Sequence, residues 1–166
     1  MKTLTLELGS YSSGTMRSED LIPVFLDALD PLQLEQADRQ TIRAIQSRQR
    51  VGFLDDETAD DDLSELFDLL NNYCPDYCYF GAHPGDGADY GVWVVDALLT
   101  DTHQGSYNGY VFRLPGDISP QAYTGEDGID EPIDAHYTHA LRVNDHGNAT
   151  LYRRSGRRWS EVWSIV

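Results

Sequence analysis

The chain has 166 residues, of which 40% are hydrophobic and 11% aromatic, and 28 acidic against 12 basic side chains give a formal net charge of -16. This apolar content is enough for a buried core and excludes global disorder, while no apolar stretch approaches the roughly 20 residues of a membrane helix. The N-terminus also lacks the apolar segment of a secretory signal, so we expect a single compact domain, residues 1–166, in the cytoplasm.

The N-terminal half combines one strand pattern with three stretches of helical periodicity. Leucines alternate with polar residues over 3–8, which predicts a strand with one wet face. Apolar residues then recur at helical spacing over 18–29, with a serine at the N-cap position. An Asp-Pro pair ends this helix and predicts a second one over 31–50. A third helix follows an acidic run and continues to about residue 73.

The C-terminal half has the signature of strands. Short apolar runs predict strands at 77–80, 90–95 and 107–114, and an acidic, Gly- and Pro-rich connection covers 115–135. Alternation around two turns predicts an antiparallel three-stranded meander over 136–166, with four side chains at least partly buried: Leu141, Val143, Leu151 and Trp163. The fold class is therefore α+β: an N-terminal strand, about three helices on one face, then a mainly antiparallel sheet ending in the meander.

An acidic cluster marks the start of the third helix. Carboxylates at a helix N-terminus interact favourably with the helix dipole, but one or two are enough for capping and the others repel one another. The surplus requires solvent, a cation or a basic partner. We therefore predict a partner-binding surface made of Asp55, Asp56, Glu57, Asp60, Asp61, Asp62 and Glu65.

Four arginines near the C-terminus form the most basic part of the sequence. The field of a strongly negative chain opposes polyanions, so we expect no direct binding of nucleic acid, even at these arginines. They are Arg153, Arg154, Arg157 and Arg158. The same Coulombic argument favours a basic protein surface as the partner, including the surface of a nucleic-acid-binding protein.

A glycine-rich loop offers an alternative, metal-dependent chemistry. His83, Asp86 and Asp89 lie within seven residues, and such oxygen and imidazole ligands suit one divalent cation. Three ligands on an Asp-Gly turn also fit a hairpin in which the carboxylates bond their own backbone amides. The alternative function is a divalent-metal-dependent hydrolase or transferase that uses the 83–89 loop, with the 115–135 connection as a lid.

The cysteines and the remaining histidines give no stronger candidate. Cys74 and Cys78 have three residues between them and no second pair, which does not match a zinc knuckle. His136 and His139 are an odd number of positions apart on a predicted strand, so they fall on opposite faces, with His139 in the core-facing row. No nucleophile elbow, phosphate loop or dinucleotide fingerprint is present.

Charge density without a catalytic constellation favours a binding protein over an enzyme. The interpretation is an acidic inhibitor without a cofactor that docks on a basic surface, as nucleic-acid-mimicking anti-defence proteins (anti-CRISPR or anti-restriction) and immunity proteins do. Acidity that serves only solubility is the plainer alternative, because net charge affects solubility before it affects function.

Overall fold

The computed structural model describes residues 4–52, 55–100, 110–123 and 133–166. The chain divides into two compact units, residues 1–94 and 95–166. The expectation of a single domain stays a prediction. In the described part of the chain, no helix is long and apolar enough to cross a membrane.

Four helices and seven strands are present in the described part of the chain, and the strands form two sheets. In chain order the elements are β1 (Gly9–Ser12), α1 (Ser18–Leu29), α2 (Gln36–Val51), α3 (Asp56–Asn72), β2 (Cys78–His83), β3 (Asp86–Val94), α4 (Asp96–Thr100), β4 (Val111–Leu114), β5 (His139–Val143), β6 (Ala149–Ser155) and β7 (Arg158–Ile165). The first unit has the antiparallel sheet β1-β3-β2, and the second has the sheet β4-β5-β6-β7. This confirms the α+β class, although the sequence led us to expect one sheet.

The core of the first unit lies between its helices and the inner face of its sheet. Phe25 of α1 is fully buried, and its ring meets that of Phe80 on β2 edge-on at 4.9 Å. Phe67 of α3 contacts Phe25 in the same way at 5.1 Å. Val92 of β3 is also fully buried on this side. The packing fixes which face of α3 points inward, and hence which of its carboxylates reach solvent.

The predicted strand over 3–8 is wrong for the described residues 4–8, which form no strand. Leu6 is buried, but its backbone N–H donates to the carbonyl of Tyr73 at the end of α3, at 2.8 Å, instead of to a neighbouring strand. Leu4 is 72% exposed, so the alternation does not mark one buried face. The strand begins only at Gly9, which pairs with Val92 of β3.

The second helix begins at Gln36, five residues later than the Asp-Pro pair predicted. The Tyr73 hydroxyl accepts a hydrogen bond from the backbone N–H of Glu35, at 2.9 Å, and donates one to Asp38. A side chain 38 residues away in sequence thus fixes the start of α2. Such a partner is invisible to local helix-capping rules.

The predicted C-terminal meander is confirmed as β5, β6 and β7, which pair antiparallel in sequence order. Leu141, Leu151 and Trp163 are buried, and Val143 is half-buried. The sequence did not predict that β4 pairs with β5 in parallel, nor did it predict the short helix α4. Residues 107–109 of the predicted third strand, and 124–132 of the long connection, lie outside the described residues.

Candidate functional site

The first carboxylate of the acidic cluster caps a helix. Asp55 is the N-cap of α3, and its Oδ1 accepts a hydrogen bond from the backbone N–H of Thr58 at 2.8 Å. This hydrogen bond lowers the pKa of Asp55, because it favours the ionised carboxylate. Asp55 therefore has a structural role at the point where the cluster begins.

Asp62 points into the protein, contrary to the expectation that it belongs to the exposed partner-binding surface. It is 1% exposed, and Arg48 of α2 donates to its Oδ1 through Nε, at 2.8 Å, and through Nη2. The reason is helical phase, since Asp62 lies four residues before the buried Leu66 and shares its face. Its Oδ2 is buried and has no hydrogen-bond partner among the described residues. Asp62 is therefore part of the contact between α2 and α3.

The remaining acids of α3 form a continuous exposed surface, which we call the α3 ridge. Its six members are all exposed, and α3 contains no lysine or arginine. Asp68 joins the five residues that the sequence had singled out. The α3 ridge consists of Asp56, Glu57, Asp60, Asp61, Glu65 and Asp68.

Two members of the α3 ridge have neighbours that limit their freedom. Ser18 at the start of α1 donates a hydrogen bond to Asp60 Oδ1 at 2.8 Å. The Glu65 carboxylate is 3.7 Å from the guanidinium of Arg48, whose side chain is 40% exposed. The second contact is a surface ion pair, worth no more than about 1 kcal/mol. Both residues still present negative charge to solvent.

The mean density of negative charge along the axis of the α3 ridge is close to that of a nucleic-acid strand. Asp56 and Asp68 bound the ridge, and at 1.5 Å per residue they are separated by about 18 Å of axis. Six carboxylates over this length give on average one negative charge about every 3.6 Å, with individual steps of about 1.5 to 6 Å. One DNA strand carries a phosphate about every 3.4 Å of its axis.

A cleft of about 620 Å³ opens at the N-terminal end of the α3 ridge. Asp56 and Asp60 contribute one side of it, and Ser18 and Glu19 at the start of α1 contribute another. Glu19 forms an ion pair with Arg17 on the protein surface. Arg17 also lines the cleft, so a basic side chain entering it would meet the carboxylates of two helix starts beside one cationic group.

The proposed metal ligands of the 83–89 loop contact other groups of the first unit. His83 and Asp86 face each other across the hairpin turn between β2 and β3. Asp86 Oδ1 accepts from the backbone N–H of Ala88 at 3.0 Å, and Asp89 accepts from the Ser10 hydroxyl of β1. Within the ranges the structure describes, no three His, Cys, Asp or Glu side chains are grouped to hold a metal ion.

The two cysteines are not poised for nucleophilic chemistry. Both are half-buried, and burial raises the pKa of Cys74 and of Cys78 to about 12. Their thiols therefore stay protonated at neutral pH, whereas the thiolate is the nucleophile. Each thiol lies within weak hydrogen-bond distance of a backbone carbonyl, Leu70 for Cys74 and Asp76 for Cys78.

The C-terminal histidines and arginines are placed by the second sheet. His136 is exposed, with its Nδ1 at 3.0 Å from Asp134, while His139 is half-buried on β5. Arg154 donates from Nη1 to the carbonyls of Ile133 and Asp134 and also lies over the ring of Trp159. This arginine therefore holds the segment before β5 in place. The other three, Arg153, Arg157 and Arg158, are exposed.

No protein-family model, no curated protein and no solved structure matches this chain.

Proposed function

We propose that this protein acts by binding: it is an acidic inhibitor that docks its α3 ridge on a basic surface of a partner protein. In the form that fits the charges best, the α3 ridge occupies a groove built for nucleic acid. Such an activity places the protein with anti-defence inhibitors (anti-CRISPR or anti-restriction) or with immunity proteins against nuclease toxins. We expect it to work in the cytoplasm, without a cofactor and without binding nucleic acid itself.

The charge spacing of the α3 ridge is the observation that carries this proposal. A helix that presents one carboxylate about every 3.6 Å reproduces the axial charge density of a single nucleic-acid strand. A groove lined with Lys and Arg at phosphate spacing would find comparable charges on α3. Helix rigidity also matters, because charges held on a regular element lose little conformational freedom on binding.

The burial of Asp62 sharpens the proposal. It removes one acid from the predicted surface, and Asp55, although exposed, has a capping role, so fewer carboxylates are available to a partner than the sequence alone suggested. Among the described residues, five of the six remaining carboxylates make no ion pair with α2, and Glu65 contacts Arg48 at the edge of the contact between α2 and α3. Electrostatic attraction to a basic groove would mainly raise the rate of association, since steering acts before contact.

A capture experiment with two charge-matched variants tests the proposal. The ridge variant carries Asp56→Asn, Glu57→Gln, Asp61→Asn and Asp68→Asn. The control variant neutralises four exposed acids elsewhere: Asp27→Asn, Asp117→Asn, Asp145→Asn and Glu161→Gln. Each protein is immobilised and exposed to nuclease-treated extract of the source cells, so that no nucleic acid bridges the contact.

The proposal predicts a basic, nucleic-acid-binding protein that the native chain and the control variant capture equally. The ridge variant should retain much less of it, and added duplex DNA should release it from the native chain. Equal capture by both variants would show that overall charge, and not the α3 ridge, makes the contact. Capture that DNA does not disturb would remove the nucleic-acid-mimic form of the proposal.

A further inference from the structure

The outer face of the sheet β1-β3-β2 carries aromatic side chains beside two glycines. Tyr79 of β2 pairs with Trp93 of β3, and two residues further along the strands Gly81 pairs with Gly91. Because side chains alternate along strands, these four residues share the face opposite to the buried Phe80. The face therefore has two large rings beside a strip without side chains, formed by Gly81 and Gly91, which we call the glycine lane.

The rings lie across this glycine lane. The indole Nε1 of Trp93 donates to the carbonyl of Gly81 at 2.9 Å, and a Cβ added at Gly91 would sit 2.8 Å from the indole ring. A Cβ added at Gly81 would sit 3.3 Å from the ring of Tyr79. His83 meets Trp93 edge-on, with ring centroids 4.7 Å apart. We call these three side chains, Tyr79, His83 and Trp93, the aromatic platform.

The aromatic platform stays accessible, and a carboxylate lies further along the same face of β3. His83 is exposed, and Tyr79 and Trp93 are half-buried. Asp89 lies on the same face of β3 as Trp93, four residues before it, and accepts a hydrogen bond from Ser10. The Trp93 N–H is already bonded to the backbone, so this side chain has no remaining donor. The platform offers ring surface and the imidazole of His83, whose Nδ1 accepts a hydrogen bond from the Gly85 N–H, and Asp89 adds negative charge to the same face.

Ring surface and a carboxylate on one face of the sheet favour a planar cation as the ligand. A guanidinium stacks on aromatic faces and pairs with carboxylates at two points, whereas a lysine ammonium is a strongly hydrated point charge. Nucleobases and other groups carried on phosphates are disfavoured by the charge of the first unit. In residues 1–94 the 18 acidic and 6 basic side chains leave a net charge of -12.

We infer that the aromatic platform, with Asp89 further along the same face of the sheet, is a docking site for an arginine side chain of a basic protein partner. The inference rests on the proposed function for the basic character of that partner, but it uses none of the α3 ridge residues. It assigns a role to the 83–89 loop that needs no metal: His83 and Asp89 recognise an organic cation. The two surfaces make separable contributions to binding.

Titration with short peptides, followed by nuclear magnetic resonance at low salt, tests this inference on the full chain. The probes are acetylated and amidated Arg-Gly-Arg, Lys-Gly-Lys and the uncharged citrulline analogue of the first. The reporter is the indole N–H signal of Trp93, assigned by its loss in Trp93→Phe. Asp89→Asn keeps an oxygen acceptor for Ser10, and Asp145→Asn is its charge-matched control in an exposed turn of the other unit.

The arginine peptide should shift the Trp93 signal, with an affinity about two- to fivefold higher than that of the lysine peptide, as expected for cation–π contact at an exposed site. Asp89→Asn should weaken the arginine peptide by about two- to fivefold, and the citrulline peptide should bind least. His83→Ala, an exposed position, should reduce the preference for arginine over lysine. Asp145→Asn and the ridge variant should leave the Trp93 response unchanged.

Equal affinity for the arginine and lysine peptides would overturn the inference, because it would indicate charge attraction alone. A Trp93 signal that does not move while α3 signals do would overturn it as well. Either result leaves the α3 ridge proposal standing. If the ridge variant and the control variant both capture the partner as well as the native chain does, the ridge proposal is refuted. The peptide result is not affected by that outcome.

Discussion

Replacing Gly91 by alanine should be far more damaging than the same change at another glycine of the same strand. A Cβ at Gly91 would lie 2.2 Å from the backbone carbonyl oxygen of Gly9 on β1 and 2.8 Å from the indole of Trp93. Ordinary contacts of this kind begin near 3.4 Å, so β1 has to move by about an ångström. Gly87 is the matched control, because a Cβ there meets nothing within 4 Å.

The magnitude follows from the nature of the obstructing atoms. Overpacking usually costs 1–3 kcal/mol when flexible side chains can adjust, and a backbone carbonyl cannot rotate away, so we expect Gly91→Ala to lower the free energy of unfolding by about 3 kcal/mol. Gly87→Ala should stay within about 0.5 kcal/mol of the native protein. With a denaturant slope of about 2 kcal/mol per molar urea, the Gly91 variant loses about 1.5 M in midpoint.

Urea unfolding followed by intrinsic fluorescence measures both variants. The nuclear magnetic resonance signal of the Trp93 indole N–H should also move in Gly91→Ala, because the added methyl group displaces the ring from Gly81. Equal midpoints for Gly91→Ala and Gly87→Ala would refute the close approach of β1 to β3. The same result would refute the placement of the Trp93 ring across the glycine lane, on which the aromatic platform depends.

Three further outcomes follow from buried or hydrogen-bonded groups of the first unit. Carboxamidomethylation of Cys74 and Cys78 by iodoacetamide at pH 8 should be about 1000-fold slower in the native protein than in urea. The reason is that the thiolate fraction falls when burial raises the pKa of both thiols to about 12. Mass spectrometry measures the two rates, and comparable rates would contradict this. Because the pKa of Asp55 is lowered in the folded protein, its stabilising effect is present above its ordinary pKa of 3.8 and is lost as pH falls through the lower folded value. Thermal unfolding should thus show Asp55→Ala less stable than the native protein at pH 6, with the difference closing below pH 3.8, and a gap independent of pH would argue against the capping bond. Finally, Asp62→Ala should cost about 2 kcal/mol in urea unfolding, because it leaves a cavity and deprives Arg48 of its closer carboxylate partner. Asp62→Leu should cost less, since it fills the space and removes the unpartnered oxygen. The reverse order would show that the site has no room for an apolar side chain of this size.

Local patterns predicted the elements whose partners are near in sequence. The meander β5-β6-β7 follows from strict alternation around two short turns, and the start of α3 follows from acids placed where the helix dipole favours them. The start of α2 did not follow, because Tyr73 fixes it from 38 positions away. Likewise, the parallel pairing of β4 with β5 joins segments separated by a long connection.

The candidate site was predicted in outline and corrected in detail. The sequence located the acidic surface, but it grouped Asp62 with the exposed carboxylates. A signal was present, since Asp62 precedes the buried Leu66 by four residues on the same helix. The aromatic platform had no such signal, because the contact of Trp93 with Gly81 depends on strand register and on the absence of a side chain at Gly91. Register across a hairpin is a property of the folded sheet.

The rate of association with the captured partner, measured at two salt concentrations, tests the central claim most directly. At low salt the ridge variant should associate at least about tenfold more slowly than the native protein, while the charge-matched control variant should stay within about twofold. The difference should shrink at high salt as ions screen the carboxylates. Association rates that are the same for the ridge variant and the control variant at both salt concentrations would contradict the claim that the α3 ridge is the docking surface.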